Sequence, residues 1–261
     1  MGTTSGKALS TREKWLIAAV VAAVIIALVA VFARPAGPGA DTAGDAGQQV
    51  PEAPVDAGQQ QAPERAAPAG PEMLPSEFAR RDADDPTAMG DVDAPIVLIE
   101  YSDYRCPYCG LYSTDTQPHI VAEYVETGLV RIEWRDVPIF GEQSELAALA
   151  ARAAGEQGLF WEYNSAVFAL AEQGGHTDLP RERLIEIAGE AGVPDLAQFE
   201  ADLDSPELAA LVQADLQEAQ LVGVSGTPTF ILGDLVFSGA YPIENFRELI
   251  DQQLEAAGAT P

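Results

Sequence analysis

Pro95-Ile-Val-Leu-Ile-Glu-Tyr-Ser-Asp-Tyr-Arg-Cys-Pro-Tyr-Cys-Gly-Leu-Tyr112 is the stretch on which the fold turns. Up to Tyr101 it is short, apolar and rich in β-branched side chains, with Glu100 the one acid, which reads as a strand buried on both faces. Cys106 and Cys109, the only two cysteines in 261 residues, follow within a few positions. A helical pattern then runs through Tyr112, Ile120, Val121 and Tyr124 to a stop at Gly128, with Pro118 a place for a kink. Leu129-Val-Arg-Ile-Glu-Trp-Arg135 alternates apolar and polar residues and reads as a second strand. Together these make a βαβ unit, whose crossover is expected to be right-handed.

Further along, the composition changes. From Glu142 to Val222 Ala, Leu, Glu and Gln recur at helical spacing, broken at Gly155, Gly174-Gly175, Gly192-Val-Pro194 and Ser205-Pro206. Four or five helices and no strand are expected there, with Ser205 capping a helix that has Pro206 at its first position. Thr229-Phe-Ile-Leu232, a turn at Gly233-Asp234 and Leu235-Val-Phe237 form a hairpin candidate. Ile243 to Ala257 closes the chain as an amphipathic helix. The expected fold is α/β, a small central sheet carrying an inserted helical subdomain at about 141–222.

Working back to the N-terminus, Trp15 to Ala33 is an uncharged apolar run of nineteen residues, long enough to cross the hydrocarbon as a helix. Lys7, Arg12 and Lys14 precede it, which places residues 1–14 in the cytoplasm and the main body outside. The rival is a cleaved signal peptide ending near Val31-Phe-Ala33, although signal cores are usually shorter, about 7–15 residues. Either way the main body is exported, where disulfides persist. Residues 34–75, rich in Ala, Gly, Pro and Gln, have little to bury and read as a disordered tether. Residues 76–261 form the folded part. A net charge of −27 leaves no basic stripe for phosphates and argues against a nucleic-acid partner. It fits a solvated, soluble surface.

The cysteine pair has three readings. A zinc site needs four ligands, yet there is no second pair, and His119 and His176 stand alone in the sequence. A purely structural disulfide closing so short a loop removes little chain entropy. The third reading is a pair that opens and closes. Directly after a strand and at the start of a helix, the sulfur of Cys106 meets unpaired N–H groups and a partial positive charge. Both favour the thiolate, the reactive species in disulfide exchange. Pro107 suits the first helical turn. Cys106 is then the exposed nucleophile and Cys109, one turn inside, the resolving thiol. No metal and no cofactor is expected.

The order strand, Cys-Pro-Tyr-Cys helix, strand, helical block, hairpin and final helix resembles the DsbA-like branch of the thioredoxin superfamily, over about Pro86 to Ala257. The lead-in Met89-Gly-Asp-Val-Asp-Ala-Pro95 looks like that of bacterial, membrane-tethered members. The resemblance implies a thioredoxin fold with a helical insertion, exchanging a Cys106–Cys109 disulfide with exported proteins. Val224-Ser-Gly-Thr-Pro-Thr-Phe230 stands where the superfamily has a cis-proline before a strand, so Thr227 and Pro228 are expected to face the cysteines and bind substrate, beside Pro107 and Tyr108. Glu100, six residues before Cys106, matches a buried acid beneath the dithiol. Desolvation there would raise its pKa and let it relay a proton to or from Cys109. The plainer alternative is a glutamate at the strand's solvent edge.

The most strongly oxidising relatives carry histidine where this chain has Tyr108, so the thiolate here should be less stabilised. The leading expectation is a disulfide-donating oxidase, reoxidised by a quinone-linked membrane oxidase. The alternatives are a reductase or isomerase kept reduced by a membrane electron donor, and a non-redox anchored chaperone or binding domain. A monomer is expected.

Overall fold

The computed structural model describes residues 74–171 and 175–259. The expected cytoplasmic N-terminus, the apolar run 15–33 and nearly all of the tether lie outside the described residues. No helix among the described residues is long and apolar enough to cross a membrane.

Five strands form one mixed sheet: β1 (Ala88–Met89), β2 (Ile96–Ser102), β3 (Val130–Asp136), β4 (Thr229–Leu232) and β5 (Leu235–Ser238), in the order β1-β3-β2-β4-β5. β2 is central. It runs parallel to β3, with Ile96 opposite Val130 and Ser102 opposite Asp136, and antiparallel to β4. All seven of its residues are buried, as an apolar strand covered on both faces should be. β1, only two residues long, pairs antiparallel with β3 and carries no apolar pattern that sequence could reveal.

Between β2 and β3 the chain is one helical rod built from α1 (Pro107–Leu111), a π-helical turn (Tyr112–Thr116), α2 (Gln117–Ile120) and a second π-helical turn (Val121–Val125). Pro118 sits just after the first π turn, where the widened hydrogen-bonding absorbs the donor that proline lacks. The helical block is α3 (Glu142–Gly155), α4 (Phe160–Phe168), α5 (Arg181–Glu190), α6 (Leu196–Asp202) and α7 (Pro206–Val222). Buried Ala147, Ala150, Ala151 and Ala154 let the neighbours of α3 approach closely. Ser205 caps α7 by accepting from the Leu208 amide, and Gly223 ends it at φ +82°. α8 (Ile243–Ala256) lays Phe246, Ile250 and Leu254 on the sheet.

The alternation in β3 has an outcome that the sequence did not announce. Val130, Ile132 and Trp134 enter the core, but Arg131, Glu133 and Arg135 on the other face are buried too. Arg135 bonds Glu133 at 2.8 Å and Glu218 of α7 at 2.8 Å, while Arg80 bonds Asp215 and Glu218. At the end of the strand Arg152 of α3 bridges Asp136 at 2.6 Å and Asp215. Burying these charges is tolerable because each finds a partner of opposite sign.

Candidate active site

The site is built at the C-terminal end of β2, where the strand gives way to Asp103-Tyr-Arg105 before α1 begins. Asp103 is buried and acts as a clamp. Its carboxylate accepts from the amides of Arg105 and Ile139, each at 2.7 Å, from Phe140 at 3.3 Å, and from the Ser144 hydroxyl at 2.8 Å. Arg105 ties the same loop outward, donating to the carbonyls of Thr177 and Phe140 at 2.8 and 2.6 Å. Sequence reading gave Asp103 no role. The signal for one was an aspartate two residues before the amide it captures, the local bond of an Asx turn.

Cys106 is the N-cap residue of α1 and Pro107 its first residue. Both cysteines are thiols in this structure. The expected exposure of Cys106 is corrected: the residue is 3% exposed and Cys109 is 0% exposed, both within the cluster that includes Tyr104, Trp134 and Phe168. Tyr108, by contrast, is 64% exposed beside them. Covering Cys106 from the other side is the loop before β4. The Thr227–Pro228 bond is cis, and the Cys106 thiol donates to the Thr227 carbonyl at 3.2 Å. Cys106, Cys109, Pro107, Tyr108, Thr227 and Pro228 thus come together at one place.

The two thiols are electrically unlike. Cys106 is lowered from 9 to about 6, chiefly by the hydrogen bond from Cys109, against the opposing effect of burial. The Thr227 side chain and the amides of Cys109 and Tyr108 add to the lowering. The helix start therefore contributes as the sequence implied, but the partner thiol contributes more. Cys109 goes the other way: burial pushes it well above its ordinary value, and the neighbouring Cys106 sulfur reinforces this. One sulfur is poised to be an anion near neutrality while the other keeps its proton.

Glu100 is fully buried, which excludes the solvent-edge alternative. Its Oε2 accepts from Gln117 Nε2 at 3.3 Å, and burial lifts its pKa from 4.5 to about 8. Gln117, Ser102 and Ser113 are buried on this side of the sheet as well. None was singled out by sequence, because short polar residues in strands and helices are more often solvent-facing. Neither histidine joins the cysteines as a ligand. His119 lies on the surface beside Glu123, and His176 stacks on Phe140 with its Nδ1 3.0 Å from the Arg105 carbonyl. Among the described residues no group of three or more His, Cys, Asp or Glu is placed to hold a metal ion.

A family model described as Thioredoxin matches residues 82–252. A Na(+)/H(+) antiporter NhaA 3 of Salinispora tropica is 33% identical over 184 residues, which is 69% of this chain but only 26% of the antiporter, so the chain spans about a quarter of that relative. A probable disulfide bond formation protein D of Bacillus anthracis is 29% identical over 174 residues, 64% of this chain and 78% of that protein. The crystal structure of oxidised BdbD from Bacillus subtilis matches with a TM-score of 0.61 at 24% identity, over 65% of this chain and 92% of that one, a likeness of fold.

Proposed function

The chain belongs to the Thioredoxin family, in its DsbA-like branch of protein disulfide oxidoreductases, and from that premise we propose that it exchanges a Cys106–Cys109 disulfide with exported proteins outside the cytoplasm, as a disulfide donor. The observation that carries this reading is the opposed ionisation of two thiols one helical turn apart, Cys106 lowered to about 6 and Cys109 held protonated. A low pKa makes Cys106 both a ready nucleophile and a good leaving group.

In the proposed turnover a substrate thiolate attacks Cys106 Sγ, the Cys106–Cys109 bond breaks, and its electron pair departs on Cys109 Sγ. The second substrate thiol then loses its proton and attacks the mixed disulfide, releasing oxidised substrate and the Cys106 thiolate. Thr227 and Pro228 lie beside Cys106, where they would meet an extended substrate, and Tyr108 between the two cysteines is exposed. Glu100 is proposed as the proton store for the buried thiol. A quinone-linked membrane oxidase would take the two electrons and restore the disulfide.

A location outside the cytoplasm rests on the apolar run 15–33 and the charges before it. Expressing the full chain with and without residues 1–33 and following its membrane fraction tests the anchor; equal partitioning refutes it.

For the activity itself, Cys106→Ser abolishes oxidation of a reduced substrate that carries two free thiols, and Cys109→Ser accumulates mixed disulfides. Normal turnover by the Cys106 variant refutes the assignment. A reductive role has one observation in its favour, the uncharged Tyr108 between the cysteines. Equilibration with glutathione separates the two directions, since a potential well below about −200 mV belongs to the reductive class.

A further inference from the structure

Glu100 and Ser102 stand two positions apart on β2, so their side chains leave the same face of the sheet. Both residues are buried, at 0% and 1% exposure. Gln117 occupies Oε2 of Glu100, and among the described residues Glu100 Oε1 and Ser102 Oγ have no hydrogen-bond partner. Two unpartnered polar atoms side by side in a core are costly, and their retention calls for a task. Ser102 lies nearer the end of the strand that leads into Cys106. Its backbone is fixed there by the bond from the Val137 amide at 2.9 Å. Although no hydrogen bond is formed, the hydroxyl lies close enough to favour the ionised form of both Glu100 and Cys109.

We propose that Ser102 is the positioning residue that passes a proton between Glu100 and Cys109 during disulfide exchange. This rests on the function proposed above and deepens it. A hydroxyl is at once donor and acceptor, so it can take a proton from the acid while giving its own to the sulfur. When a thiolate attacks Cys106 Sγ, its sulfur bonds to Cys106, the Cys106–Cys109 bond breaks and the electron pair leaves on Cys109. The Ser102 proton moves to that sulfur, the Glu100 carboxyl proton refills the hydroxyl, and Glu100 is left as the carboxylate. Cys109 thereby leaves as a thiol, which its buried cluster of aromatic rings favours over an anion.

Few other groups interfere. Cys106 and Tyr112 are the ionisable neighbours on the helical rod. Beside Glu100, β3 and β4 offer Trp134 and Phe230, and α8 brings Phe246 onto Phe230, all without charge. The β3 neighbour of Ser102 is Asp136, whose two oxygens are taken by Trp134 Nε1 and Arg152 Nε. Asp103 sits next in the chain, with its carboxylate engaged by the loop amides and Ser144.

The experiment reacts the oxidised full chain with glutathione by stopped flow from pH 6 to 9, expressing the rate constant per glutathione thiolate. In the wild type that constant falls as pH rises through about 8, where Glu100 loses its proton. Ser102→Thr keeps the fall and stays within about threefold of wild type. Ser102→Val has the same shape without the hydroxyl, and its rate at pH 7 drops at least about tenfold, with a flat profile like that of Glu100→Gln. Equal behaviour of the Thr and Val variants overturns the proposal, whether both are normal or both impaired. An oxidised wild type that forms no mixed disulfide at Cys106 overturns the underlying function as well.

Discussion

The Sγ of Cys106 lies 3.2 Å from the carbonyl oxygen of Thr227, a residue 121 positions further along the chain. The contact joins the start of α1, just past β2, to the loop before β4, and β2 and β4 pair antiparallel in the sheet with Tyr101 opposite Thr229. The Thr227 hydroxyl is buried and has no partner among the described residues, so it is free to donate once the sulfur ionises. Here an accepting carbonyl serves the thiol and a donating hydroxyl serves the thiolate.

Thiolate absorbance of the reduced protein against pH should therefore give a Cys106 midpoint near 6. Thr227→Val should raise that midpoint by roughly 0.7 pH unit, the worth of one hydrogen bond of about 1 kcal/mol. A midpoint like that of free cysteine, near 8.5, contradicts the electrostatic account of the site.

Glu100 carries a signed prediction for stability. Its folded pKa is raised from 4.5 to about 8, so the folded state holds a proton that the unfolded state releases. The stability this gives is complete below 4.5 and is lost as pH rises to 8. Glu100→Gln does not titrate. In urea denaturation its stability relative to wild type should grow across that window, by an amount on the order of a few kcal/mol, and level off above it. A difference independent of pH shows that the acid is not raised.

Gly110, one residue after Cys109, meets the chain just past α4 so closely that an added Cβ would lie 2.3 Å from the Cβ of Ala171. Helix propensity favours alanine over glycine by about 1 kcal/mol, but an overlap this severe outweighs it. Gly110→Ala should cost about 1–3 kcal/mol by overpacking. Adding Ala171→Gly should recover most of the loss, and a double variant no better than the single one refutes this contact.

Arg152 separates two buried carboxylates, Asp136 and Asp215. Arg152→Met should cost about 3–5 kcal/mol at neutral pH, because it leaves uncompensated charge inside. Asp136 is already raised, first by burial and then, against the pull of Arg152, by Asp215. Without the guanidinium the folded state binds protons more tightly still. The deficit should shrink as pH falls and Asp136 is neutralised, and a deficit constant with pH assigns the loss to packing.

The strands β2, β3, β4 and β5 were legible because their patterns are local: a β-branched apolar run, an alternation, a hairpin turn at Gly233-Asp234. The capped start of α7 was legible for the same reason. What escaped was whatever depends on distant partners. Nothing near Arg131, Glu133 and Arg135 tells that their face is sealed, since Arg80 and Glu218 arrive from elsewhere in the chain. The burial of Cys106 escaped likewise, because its cover comes from Thr227. The cysteine pair was visible as residue types at a spacing, and Glu100 through the resemblance to the DsbA-like branch; Ser102 and Gln117 were not, because a lone serine or glutamine carries no pattern.

The four bonds that converge on Asp103 have a mechanical consequence. They brace the approach to Cys106 against the loop after β3 and the first turn of α3, so the scaffold is stiff where the bond is made and cut. A reaction cycle mounted on such a bracket has little slack for the backbone to take up, which leaves protons and side chains to register whether the bridge is open or shut.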